Sequence, residues 1–113
     1  MMKIQYADDI QCTDVDMDGA QGVRMQLLIH DADGAPNFFM RQFTVAPGGN
    51  TPLHTHDWEH EVYILSGKGV AVASGKENQV RAGDCVFVDP NIEHQFVNRG
   101  NVELKFLCLV PRK

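Results

Sequence analysis

The chain has 113 residues, of which 43% are hydrophobic and 22% charged, and a formal net charge of -5. That length fits one domain and leaves little room for a second core. Lys and Arg are dispersed along the chain, so neither nucleic acid nor an anionic membrane surface is expected as a partner, because both need clustered positive charge. Residues 1–9 lack the apolar core of a signal peptide, and no later stretch approaches transmembrane length. Three cysteines, Cys12, Cys85 and Cys108, form no Cys-x-x-Cys spacing. An odd, scattered set argues against a disulfide framework and for a reducing cytoplasm.

Residues 1–22 are polar and weakly patterned, and are read as an N-terminal arm able to supply an edge or swapped strand. Residues 23–113 are read as the folded barrel. Residues 23–30 begin with apolar-polar alternation, as a half-buried strand does. Asp31, Asp33, Gly34, Pro36 and Asn37 mark a turn. Residues 38–45 form an aromatic-rich strand, which Pro47, Gly48 and Gly49 are expected to stop. Past the histidine-rich stretch, Ser66 to Gly69 turn the chain into a strand at 70–73, and residues 74–78 turn it again. Residues 85–88 are a short buried strand in which Cys85 and Phe87 are read as core. Asp89, Pro90 and Asn91 turn the chain into a strand at 93–97, and residues 102–110 supply the last one. No window carries a helical period over three turns. Many short strands separated by turn signals predict an all-β sandwich or barrel.

Three of the five histidines, His54, His56 and His60, lie within seven residues of one another. On a strand, alternate side chains share a face, so His54 and His56 point the same way and can hold one metal ion. His56 and His60 also have the i, i+4 spacing of a helical zinc site, but Pro52 before them and Val62, Tyr63 and Ile64 after them favour strand. The glutamate of a His-Glu-x-x-His helix is absent as well, since Asp57 follows His56. A turn over residues 57–59 brings His60 to the start of the next strand, facing the same cavity. His30 ends a strand beside a turn and is read as solvated. Trp58 is expected to cover the barrel mouth or a subunit contact.

The spacing Gly48-x5-His54-x-His56-x3-His60-x6-Gly67 resembles the first cupin motif, G-x5-H-x-H-x3,4-E-x6-G, with His60 in the glutamate position. Gly83, Pro90, His94 and Asn98 resemble the second motif, G-x5-P-x-G-x2-H-x3-N. There the proline sits one place late, and Asn91 replaces a glycine while tolerating the left-handed conformation. The flanks, residues 36–45 and 106–111, extend the likeness to small single-domain cupins with a four-histidine manganese site. The resemblance implies a double-stranded β-helix, or jelly-roll barrel. It also implies one divalent metal ion held by His54, His56, His60 and His94. Glu61 competes with His60 for the third place, but the two face opposite sides of a strand, and the six-residue gap to Gly67 selects His60.

Manganese comes from the resemblance alone, since imidazole ligands equally suit Fe, Ni, Zn or Cu. Four neutral imidazoles leave the full +2 charge on the ion, which favours anionic or enolate-like substrates. Phe106 and Cys108 share strand parity. They are either cavity-lining residues beside the metal, as the resemblance suggests, or ordinary core. Arg41, in an otherwise apolar strand, either holds a substrate carboxylate or points to solvent. The expected activity is that of a metal-dependent oxidoreductase, a dioxygenase acting on a small organic molecule. The alternatives are a cupin decarboxylase or isomerase, and a non-catalytic cupin that binds or senses a small ligand. Likeness to small cupins further implies a homodimer.

Overall fold

The computed structural model describes residues 1–112. Nine strands carry them: β1 (Thr13–Asp14), β2 (Gln21–Ile29), β3 (Phe38–Asn50), β4 (His60–Ser66), β5 (Lys68–Ala73), β6 (Lys76–Arg81), β7 (Cys85–Val88), β8 (His94–Val97) and β9 (Leu104–Pro111). Two single 3-10 turns are the only helical elements among the described residues. No helix is long and apolar enough to cross a membrane. All strand pairings are antiparallel. The main order is β6-β5-β8-β3-β9-β4-β7, with β2 on the other edge of β3 and β1 on β2. The sheet curls into the expected all-β jelly-roll.

Alternation along the strands decides what faces inward. In β9, Leu104, Phe106, Cys108 and Val110 are buried, while the residues between them are half-exposed. In β4, His60, Val62 and Ile64 are buried, and Glu61 and Tyr63 are exposed. The inward residues meet in one core, where the Phe106 ring lies 5.4 Å from that of Phe43 and 4.7 Å from that of Phe96.

Two sequence expectations are corrected. Strand β3 does not stop at Pro47 but runs on to Asn50. The β2–β3 register shifts between Gln21 and Val23, and Gly48 takes φ +81°. A bulge of this kind tolerates a proline and bends the strand instead of ending it. Gly49 is required there, because a Cβ would stand 2.4 Å from the Gln21 carbonyl oxygen. In β7 the parity is the reverse of that expected. Cys85 is exposed and Phe87 is 61% exposed, whereas Val88 is buried and Val86 half-buried. An uninterrupted apolar quartet hides its own phase, and β7, as a terminal strand of the sheet, buries only one face.

Candidate metal centre

The bend in β3 delivers the chain to the mouth of the barrel, where Thr51 continues the ladder. Its N–H donates to the Phe96 carbonyl at 2.9 Å, and its hydroxyl accepts from the Phe96 N–H at 2.8 Å. His54 then forms a two-way backbone bridge with His94, at 3.2 and 3.1 Å. The turn before His94 is tied down by the Asn91 N–H, which donates to the His56 carbonyl at 2.7 Å. Asn91 itself holds φ +67°. His60 opens β4 and His94 opens β8. Thus four histidines from two distant stretches share one site, with one ligand atom of each within 4.8 Å of all the others. Glu61 lies on the exposed face of β4, and His30, at the end of β2, is outside the group.

Hydrogen bonding fixes the ring tautomers. Nδ1 of His54, His56 and His94 lies 2.8, 2.9 and 2.8 Å from the carbonyl oxygens of Pro52, Trp58 and Ile92. A carbonyl only accepts, so each Nδ1 carries the proton and each Nε2 presents a bare lone pair. His60 is held differently: its Nδ1 is 3.2 Å from Cys108 Sγ, and its Nε2 is 2.7 Å from Nε2 of His56. Two imidazole nitrogens this close need either a shared proton or a shared cation. Backbone-anchored Nδ1 groups with converging Nε2 atoms are what a metal-binding histidine set requires. The four residues therefore fit a divalent ion and could hold one.

The surroundings favour the neutral form of His56, His60 and His94. Burial pushes His60 down to about 3, helped by the nearby Arg41 cation. Burial also lowers His94 and His56 below the ordinary histidine value, and it raises the Cys108 thiol. The Trp58 ring lies flat on His56, with centroids 4.1 Å apart and planes 6° apart. Nothing in the sequence announced that stacking. The link between Cys108 and His60 was signalled only by strand parity.

The histidines open into a cavity of about 720 Å³, lined mainly by apolar and aromatic side chains that include Val15, Met25, Phe39, Phe43, Trp58 and Phe106. Cys108 and Arg41 also line it. Arg41 Nη2 donates to Cys108 Sγ at 3.2 Å, and its guanidinium carbon sits 5.0 Å from the Phe43 ring centre. Its Nε is buried without a hydrogen-bond acceptor.

A curled antiparallel barrel with two histidine motifs meeting at its mouth defines a cupin. The chain belongs to the cupin family, whose domain matches residues 41–110. Over its whole length it is similar in structure to the polyketide cyclase RemF from Streptomyces resistomycificus, with a TM-score of 0.95, 34% identity and 81% of that chain covered. In sequence it is 42% identical over 65 residues to an oxalate-binding protein of Thermotoga maritima, covering 57% of this chain and 54% of that one. It is 32% identical over 113 residues to an L-ectoine synthase of Desulfatibacillum aliphaticivorans, covering 96% of this chain and 83% of that one. The match spans about half the length of the first three curated relatives.

Proposed function

We propose that the chain is a metal-dependent cupin enzyme that closes rings in a small poly-β-carbonyl substrate. The observation that carries this reading is four converging imidazoles at a largely apolar cavity of about 720 Å³. It is supported by full-length likeness to a polyketide cyclase. His54, His56, His60 and His94 would hold the ion, which supplies Lewis acidity to substrate oxygens when bound. Carbonyls of Pro52, Trp58 and Ile92 keep the protons of three ligand rings on Nδ1, away from the substrate side. Phe39, Phe43 and Phe106 line the cavity and offer flat ring faces on which a folded poly-β-carbonyl chain can pack. Ring closure of this kind forms one carbon–carbon bond and moves one proton from carbon to oxygen, so it needs no oxidant.

A dioxygenase remains the second reading, favoured by a site built from imidazoles with no carboxylate among its four members. A decarboxylase, an isomerase and a ligand-sensing cupin are the remaining outcomes. One experiment separates them. Metal-loaded protein is incubated with a linear 1,3,5-triketone and with a panel of 2-oxo acids, with and without oxygen. Cyclised product in both atmospheres supports the proposal, whereas product only with oxygen uptake supports the dioxygenase. Carbon dioxide release or rearranged substrate marks a decarboxylase or an isomerase. Tight binding without turnover supports the binding cupin.

Manganese is the proposed ion on motif likeness, and elemental analysis of the purified protein tests it against Fe, Ni, Zn and Cu. A reducing cytoplasm is the proposed compartment, supported by three free cysteines. A homodimer is proposed as well. The arm exposes Met1, Met2, Ile4 and Tyr6, and the outer sheet face exposes Tyr63, Leu65 and Phe87. Deleting residues 1–12 is expected to weaken the dimer in light scattering, and an unchanged dimer would remove the arm from the interface.

A further inference from the structure

Arg41 is the anomaly of the interior. Among the described residues, Lys3, Arg24, Arg99 and Arg112 each have a carboxylate partner, and all four cations are exposed. Arg41 has none among the described residues. It sits in the wall of an apolar cavity, with Nε buried and unaccepted and Nη2 on a thiol sulfur, a weak acceptor. The carboxylates that line the same cavity, Asp14 and Asp16, are exposed and make no ion pair with it. A guanidinium carries five donors in a fixed fork that matches paired oxygens. Leaving a buried donor of such a group unmatched is costly, and a ligand oxygen removes that cost.

Position narrows the ligand. Arg41 Nη2 is 3.2 Å from Cys108 Sγ, which is 3.2 Å from Nδ1 of His60. The cation therefore stands one side chain away from a ring of the histidine group. With a divalent ion on the four rings, the ion and Arg41 would both be positive, while the carboxylates of the lining, Asp14 and Asp16, are exposed and pair with neither, so a neutral substrate leaves the buried charge uncompensated.

We propose that Arg41 is the recognition residue for an anionic oxygen of a 1,3-dicarbonyl unit, so that the cavity selects substrates bound as anions. The inference rests on the metal-centre reading for the second positive charge, and it names the substrate class of that site. The oxygen belongs either to the enolate of a β-diketone or to the carboxylate of a β-keto acid. In the first case the carbon-bound proton is released to buffer on binding.

The test uses full-length wild type, Arg41→Lys, Arg41→Gln and Arg41→Met, loaded with manganese(II) and assayed for metal content. The probes are acetylacetone, malonate and the neutral dimethyl malonate. Binding is followed by the fluorescence of the single tryptophan, Trp58, and acetylacetone ionisation by the red-shifted absorbance of its enolate. At unchanged metal content, Arg41→Met and Arg41→Gln are expected to weaken the anionic probe by about tenfold or more, the scale of a lost charged hydrogen bond. Arg41→Lys should recover part of the loss, and dimethyl malonate should bind all four proteins alike. A loss confined to acetylacetone assigns the enolate, and one confined to malonate assigns the carboxylate. Equal affinity in wild type and Arg41→Met, or no binding of either anion to wild type, overturns the inference. If wild type takes up no metal, the metal-centre reading fails instead, and malonate binding by the metal-free proteins still reports on Arg41.

Discussion

Cys108 Sγ stands 3.2 Å from Nδ1 of His60, the one ring of the four whose Nδ1 is not held by a backbone carbonyl. The sulfur also receives the Arg41 donor. In the metal-free chain, Nε2 of His60 must donate to the lone pair of His56, so its Nδ1 accepts from the thiol. To bind an ion through Nε2, His60 must move its proton to Nδ1, and Cys108 must then accept it as a hydrogen bond. The ring is thus set by a side chain able to play both parts. Cys108→Ala removes that partner and is expected to weaken metal binding by about tenfold. Titration of the apo-protein with metal measures this, and unchanged affinity would show that the thiol does no more than fill space.

His60 and its neighbour give the cleanest mutational contrast. His60→Ala is expected to lose the metal, since it removes a buried member of the group. Glu61→Ala, on the exposed face, should retain nearly all of it. Elemental analysis of both proteins after gel filtration decides the matter, and the opposite pattern would transfer the ligand role to the carboxylate.

Asn98 belongs to the second motif but supports the backbone and touches no histidine. It is completely buried, its Nδ2 donates to the carbonyls of Val45 and Val102 at 2.9 and 2.8 Å, and its Oδ1 accepts the Gly100 N–H at 3.0 Å. Asn98→Ala is expected to cost about 2–4 kcal/mol of stability, because it removes three hydrogen bonds of a completely buried side chain. Urea unfolding should show the loss, while the folded fraction still binds metal in full.

Acid should destabilise the metal-free protein in a defined direction. His60 is lowered to about 3, from an unfolded value near 6.5, and His56 and His94 shift the same way. Between those limits the unfolded chain binds more protons than the folded one. The histidine contribution to stability is therefore full above about pH 6.5 and is lost as pH falls toward 3. Urea midpoints of chelator-treated protein at pH 7.5 and pH 5 should drop accordingly, and His60→Gln should reduce the drop.

The all-β class was legible because strand alternation and turn signals are local patterns written in residue types, whereas the jelly-roll and the joining of His94 to His54, His56 and His60 came from the likeness to the two cupin motifs. Alternation showed only that His60 and Glu61 face opposite sides of a strand, and the six-residue gap to Gly67 selected His60. What failed did so where local pattern carries no phase. In Cys85–Val88 every residue is apolar, so only the neighbouring strand decides which pair turns inward. At Pro47 the residue itself argues for an end, and only the register against β2 reveals a bulge. Trp58 on His56 and Cys108 on His60 are contacts between side chains, and strand periodicity does not encode their partners.

The two-way bridge between His54 and His94 also bears on how the chain reaches its final form. His54 and His56 are close in any extended segment, so the unfolded chain can already hold a metal loosely. His94 joins them only after about forty intervening residues have folded back, a loop closure whose entropy must be met before the contact forms. The complete set of four therefore exists only once the barrel has closed. An ion that prefers the full set acts as a latch on the finished topology: it should slow opening of the mouth far more than it speeds the collapse that precedes it.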